Sequence, residues 1–133
     1  MNPIELPTLS AHVYTRIYMY YGNAAATAQA PGSNVWDAST AAVYHLGETT
    51  TPYLDSSGNA NNSISGTYPA ATSGWVGGGQ LFDGSTTRIV IADSPTLNQS
   101  QNVTLSAWVK LNAYGDFDLV EKGGFDGYTL WLK

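Results

Sequence analysis

Hydrophobic and polar positions alternate most regularly between Val103 and Leu111. Val103, Leu105, Ala107, Val109 and Leu111 fall on one face, and Thr104, Ser106, Trp108 and Lys110 on the other. A period of two is the mark of a strand with one face turned inward. Shorter runs predict further strands at His12–Tyr21, Ala42–Leu46, Gln80–Phe82, Thr87–Ala92, Asp118–Glu121 and Tyr128–Leu132, rich in β-branched and aromatic residues. The apolar run Ile89-Val90-Ile91 predicts burial of its strand on both faces. Turn signals separate these runs: Gly22-Asn23, the Asp55 turn, Gly77-Gly78-Gly79, Asp83-Gly84 and Asp93-Ser94-Pro95. Helical periodicity is missing. The Ala-rich patch Ala24–Ala30 runs into Pro31-Gly32 and reads as a connection, with Val35-Trp36 as its anchor to the core. Many short strands with turns between them predict an all-β, antiparallel β-sandwich or barrel.

Composition narrows the function classes. With 43% hydrophobic residues in 133, the chain can build one core but not two full domains. Charged residues are only 11%, so hydroxyls and amides carry the solubility. The net charge is −5, and the five basic residues Arg16, Arg88, Lys110, Lys122 and Lys133 are scattered. No basic patch is available to neutralise phosphates, which argues against nucleic acid and anionic membranes. The absence of cysteine excludes disulfides, thiolate nucleophiles and Cys-based metal sites. No apolar run has the roughly 20 residues of a membrane span, and no basic-then-apolar signal segment opens the chain. The expectation is an internal piece of a longer exported protein.

The order VYHLGE, DSSGNANN, GGGQLFDG, RIVIADSPTL, VTLSAWVK, KGGFDGYTLWL resembles the opening of laminin G-like (concanavalin A-like) jelly-roll domains of bacterial surface proteins. Upstream, IELPTLSAHVYTRIYMYYGNAAA resembles the C-terminal end of a small β-domain of unknown function that precedes such jelly rolls in bacterial envelope proteins. The two matches divide the chain into 1–40, the end of the upstream β-domain with a connecting loop, and 41–133, a partial jelly roll. The family's sandwich needs about twice the strands counted above. The resemblance therefore implies a truncated sandwich with open sheet edges, closed by a reduced fold or by pairing with another copy or partner. It also implies an extracellular or cell-envelope setting.

Three constellations invite chemistry. Asp55, Asn59, Asn61 and Asn62 share a glycine-containing turn whose side-chain and main-chain oxygens suit calcium, a hard cation taking six to eight of them. The resemblance also implies calcium near this turn, with Asp55, Asn59 and Asn62 as ligands; the same residues equally make simple Asx-turns. Asp116, Asp118 and Glu121 are similar to the acidic strand motif of sandwich-fold glucanases. Retaining hydrolysis needs two carboxyl groups about 5 Å apart, whereas alternation puts Glu121 on the opposite face from the two Asp unless a bulge intervenes. Aromatic residues form the third constellation. Trp108 is out of phase with its apolar neighbours, so it is either core of a second sheet or a binding-face residue. Trp75, Tyr53 and Tyr114 lie near loops, where aromatic faces can stack on sugar rings.

His12 and His45, without cysteine, are too few for a zinc site, and no Gly-x-Ser-x-Gly elbow supports a hydrolase triad. Asn61, Asn98 and Asn102 begin glycosylation sequons that matter only in a eukaryotic secretory route. The sequence thus predicts a non-catalytic module binding a carbohydrate or cell-surface ligand through Trp108, Tyr114, Trp75 and Tyr53. The alternative is an assembly module that completes its sandwich as a homo-oligomer or with a partner.

Overall fold

The computed structural model describes residues 11, 14, 16, 18, 25, 35–75, 77–99, 101–123 and 127–133. The strand expected at His12–Tyr21 and most of the connection after it lie outside these residues. Regular structure in the rest is strands, with 3-10 geometry at Val35 and a 3-10 turn at Pro95–Leu97. The strands are β1 (Ser63–Ser65), β2 (Ala70–Ser73), β3 (Gly78–Leu81), β4 (Val90–Ile91), β5 (Phe117–Lys122) and β6 (Tyr128–Leu132). They form three antiparallel pairs, β1 with β4, β2 with β3 and β5 with β6. A single bridge links Tyr44 to Asp55. Among the described residues no helix is long and apolar enough to cross a membrane.

Each pair has a local cause. β2 and β3 close over Gly74 and Gly77, where the Gly74 N–H donates to the Gly77 carbonyl at 2.9 Å. Backbone approaches backbone so closely here that a Cβ on Gly74 would lie 2.3 Å from the Gly78 oxygen. β1 ends at Gly66, whose φ of +142° suits glycine and whose missing Cβ leaves room for the Arg88 carbonyl. In the β5–β6 hairpin the register shifts between Asp118 and Val120. The Phe117 ring at its start lies close against Gly84 and Gly115.

The 3-10 turn ties the pieces together. Tyr128 of β6 donates its hydroxyl to the Leu97 carbonyl at 3.2 Å, and Asn61 donates its side-chain amide to the Thr96 hydroxyl at 2.9 Å. Lys122 of β5 meets Asp93 at 2.7 Å, but this pair is too exposed to hold much.

Several expected strands are shorter than their sequence pattern. Ala42–Leu46 makes one bridge at Tyr44, and of Thr87–Ala92 only Val90–Ile91 pairs, half-buried instead of enclosed on both faces. Val103–Leu111 belongs to no ladder, and only Leu105 in it is even partly covered. Alternation creates a strand with two unlike faces, but a ladder also needs a neighbouring strand, and the described residues supply none. β1 and β2 arise instead in a stretch whose polar composition reads as loop.

Burial is correspondingly small. Among the described residues the most enclosed large side chain is Tyr53, at 3% exposure. The other buried residues are Ser57, Asn61, Ser63 and Pro69, three of them polar. The tightest part of the molecule is therefore a hydrogen-bonded network, and its satisfied polar groups are what make such burial tolerable.

Candidate functional site

The best-ordered constellation surrounds Asp55. Its Oδ1 accepts the N–H of Val43 at 2.9 Å and of Ser57 at 2.8 Å. Its Oδ2 accepts the Ser57 hydroxyl at 2.8 Å and the Asn61 N–H at 3.0 Å. The Asp55 N–H itself donates to Asn62 Oδ1 at 2.8 Å. Asn59 turns its amide nitrogen to the carbonyls of Thr40 and Ala41, at 2.9 and 3.1 Å, and Asn61 donates to the same Ala41 carbonyl at 3.0 Å. Gly58 and Ala60, with φ of +94° and +57°, give the loop the curvature that aims these groups inward. Burial raises the Asp55 pKa, but the donors from Ser57, Val43 and Asn61 outweigh it and hold the carboxyl below its ordinary 3.8.

This turn brings Asp55, Asn59 and Asn62 together as the sequence predicts, yet the geometry does not fit calcium. Both Asp55 oxygens and the Asn62 side-chain oxygen already accept hydrogen bonds from N–H or O–H groups. The Thr40 and Ala41 carbonyls, natural ligands for a hard cation, face the Asn59 amide instead. Elsewhere among the described residues, no three His, Asp or Glu side chains come together.

Tyr44 borders the turn and donates its hydroxyl to the Asn61 carbonyl. Burial, with Asp55 and Tyr128 nearby, pushes its pKa up to about 12. Neither Tyr44 nor Ser57 stands out in sequence, because their value lies in contacts 17 and 16 residues away, to Asn61 and Ala41 respectively.

A second cluster encloses Tyr53. Its N–H donates to Ser63 Oγ at 2.8 Å and its hydroxyl to Gln80 Oε1 at 3.0 Å. Gln80 then donates to the Leu46 and Glu48 carbonyls at 3.1 and 2.8 Å. The Tyr53 and Tyr68 rings lie 5.7 Å apart, tilted by 50°. Tyr53 is thus a core residue, and a buried ring offers no face to a sugar. The signal for Gln80 was its place inside the GGGQLFDG motif.

The other three aromatic candidates are exposed. Trp75 sits in the β2–β3 turn at 89% exposure, Trp108 in the unpaired segment at 92%, and Tyr114 is fully exposed. A shallow, open depression of about 320 Å³ is lined by Ser106, Ala107 and Trp108. Of the two roles open to Trp108, core or binding face, its exposure speaks against the first. No ring contact joins Trp75, Trp108 and Tyr114, since among the described residues the aromatic pair is Tyr53 with Tyr68.

The bulge condition for the acidic motif is met. Asp118 pairs with Trp131 and Glu121 with Thr129, two exposed residues on the same face of β6. The register shift between them therefore carries Glu121 to the Asp118 side. His45 is exposed, and His12 lies outside the described residues. Asp83 caps its own turn, accepting the N–H groups of Ser85, Thr86 and Thr87 and two threonine hydroxyls. These bonds, the Thr86 hydroxyl first, hold its pKa far below the ordinary carboxylate value.

No family model, curated protein or solved structure matches the chain.

Proposed function

We propose that this chain is a non-catalytic binding module that recognises a carbohydrate or cell-surface glycan. The observation that carries the reading is the outward display of Trp75, Trp108 and Tyr114. A large aromatic side chain left in water forgoes the apolar burial of a core position, about 2 kcal/mol or more. Stacking on the apolar face of a sugar ring would recover that, with serine, threonine and asparagine beside it matching the hydroxyls. The scarcity of charge and the −5 balance suit a neutral ligand better than a polyanion.

The motif order supports a laminin G-like jelly roll as the scaffold, in an exported or envelope protein. Calcium is not needed in this reading, because N–H and O–H donors already solvate the charged Asp55 carboxylate. A screen of the purified chain on a glycan array tests the proposal: selective retention of one sugar class is expected, and uniformly blank spots would remove it.

A second reading has its own observation. The unpaired segment Val103–Leu111 leaves main-chain donors and acceptors open, as an assembly module that works by strand addition would.

A further inference from the structure

The β5–β6 hairpin has two unlike faces. One is partly covered, and the other exposes Asp118, Glu121, Thr129 and Trp131. Asp118 stands directly opposite Trp131, and Glu121 opposite Thr129. Strict alternation would send Glu121 to the covered face, and the register shift between Asp118 and Val120 brings it back. The bulge therefore re-aims one side chain, and that side chain is the second carboxylate. Directly opposed Cβ atoms lie about 5 Å apart and diagonal ones about 7–8 Å, so both carboxylates can reach the space over the Trp131 ring. The face lacks a cation. Among the described residues neither Asp118 nor Glu121 makes a side-chain hydrogen bond or an ion pair. Lys122, next to Glu121, alternates to the covered face and donates to Asp93 at 2.7 Å. Lys133, two residues beyond Trp131, forms no ion pair with them. Trp131 is 54% exposed and takes part in no ring contact.

An aromatic face attracts cations, and carboxylates take ammonium N–H groups in short, charge-assisted hydrogen bonds. We infer that this face binds a hexosamine through its free, protonated amine, with the ammonium between Asp118 and Glu121 and the apolar side of the sugar ring on Trp131. The Thr129 hydroxyl beside them can exchange hydrogen bonds with the sugar's own hydroxyls. The net charge of −5 favours a cationic ligand over an anionic one in the same way. Size favours a sugar over a basic peptide. The four side chains span two ladder steps, about 7 Å, the scale of one sugar ring. An extended peptide instead adds to a sheet edge or fills a row of alternate pockets, and a face of four side chains offers neither. The sugar rests on the glycan-binding reading above, while the preference for a cation rests on the face itself.

Isothermal titration of the full chain with a glucosamine tetramer, its fully N-acetylated counterpart and tetralysine tests this. The free-amine sugar should bind at least about tenfold tighter than the N-acetylated one, with an advantage that shrinks as salt is added. Asp118→Asn combined with Glu121→Gln should erase the advantage. Trp131→Ala leaves every charge in place and should weaken the free-amine sugar as well, which separates this face from a general attraction of the acidic chain for cations. All three side chains are exposed, so circular dichroism should be the same in every variant. Equal affinity for the two sugars, or an amine preference that survives the double substitution or Trp131→Ala, overturns the inference and leaves the glycan reading intact. Tetralysine that binds as tightly as the glucosamine tetramer, and is lost in the same variants, overturns the sugar as occupant. A chain that retains neither sugar removes the inference together with the glycan reading.

Discussion

Asp55 shows how much one carboxylate can organise. Replacing it by Asn keeps the shape but turns an amide nitrogen toward N–H or O–H donors that now have no acceptor. The expected loss is about 2–3 kcal/mol, read as a lower midpoint in urea unfolding. The pH dependence has a definite sign. The folded pKa lies below 3.8, so this stabilisation is present above the unfolded value and is lost as pH falls through the folded one. The urea midpoint should therefore drop on acidification below about pH 4, and drop less in Asp55→Asn. Tyr44 behaves in the opposite sense. Its folded pKa is raised from 10.0 to about 12, so its contribution is complete below pH 10 and disappears as pH rises toward 12. Ultraviolet titration should show late-ionising phenols, because burial raises Tyr53 as well, and one of them should vanish in Tyr44→Phe. Chelator should leave the melting temperature unchanged, because the donors around Asp55 occupy the places calcium would take; a rise on adding calcium would contradict that geometry.

At the level of elements, glycine marks where pairing depends on backbone approach. A Cβ on Gly66 would lie 2.2 Å from the Arg88 oxygen at the β1–β4 junction, whereas one on Gly77 would meet open space. Gly66→Ala should therefore cost at least about 2 kcal/mol, and Gly77→Ala only the left-handed backbone penalty of about 1 kcal/mol. Equal thermal shifts in the two variants would contradict this account of the junction. β6 was legible in sequence to the residue, and β5 nearly so, because Phe117–Lys122 and Tyr128–Leu132 combine alternation with a glycine turn between them. β1 and β2 were not legible, since SIS and AATS carry no apolar period and form only because β4 and β3 lie alongside. The reverse holds for Val103–Leu111, where local pattern is strong and a partner strand is missing. The turn at Asp55 was visible as a cluster of polar residues; whether those residues would hold an ion or one another depended on amide orientation, which sequence does not encode.

Among the described residues, strands dominate the regular structure and the most enclosed residues are mainly polar, while large aromatic side chains, Trp75, Trp108 and Tyr114 the most exposed of the candidates, point outward. Sequence alone could place Trp108 on the opposite face from its apolar neighbours but could not decide between core and solvent. Its exposure places it in solvent, and the proposed function rests on what an exposed ring can recognise. The most direct test is isothermal titration of the unmodified chain and Trp108→Ala with the sugar class found by array. Measurable binding is expected, weakening at least about tenfold, 1.4 kcal/mol, in the variant while far-UV circular dichroism stays the same. Equal affinity in the two chains would contradict it.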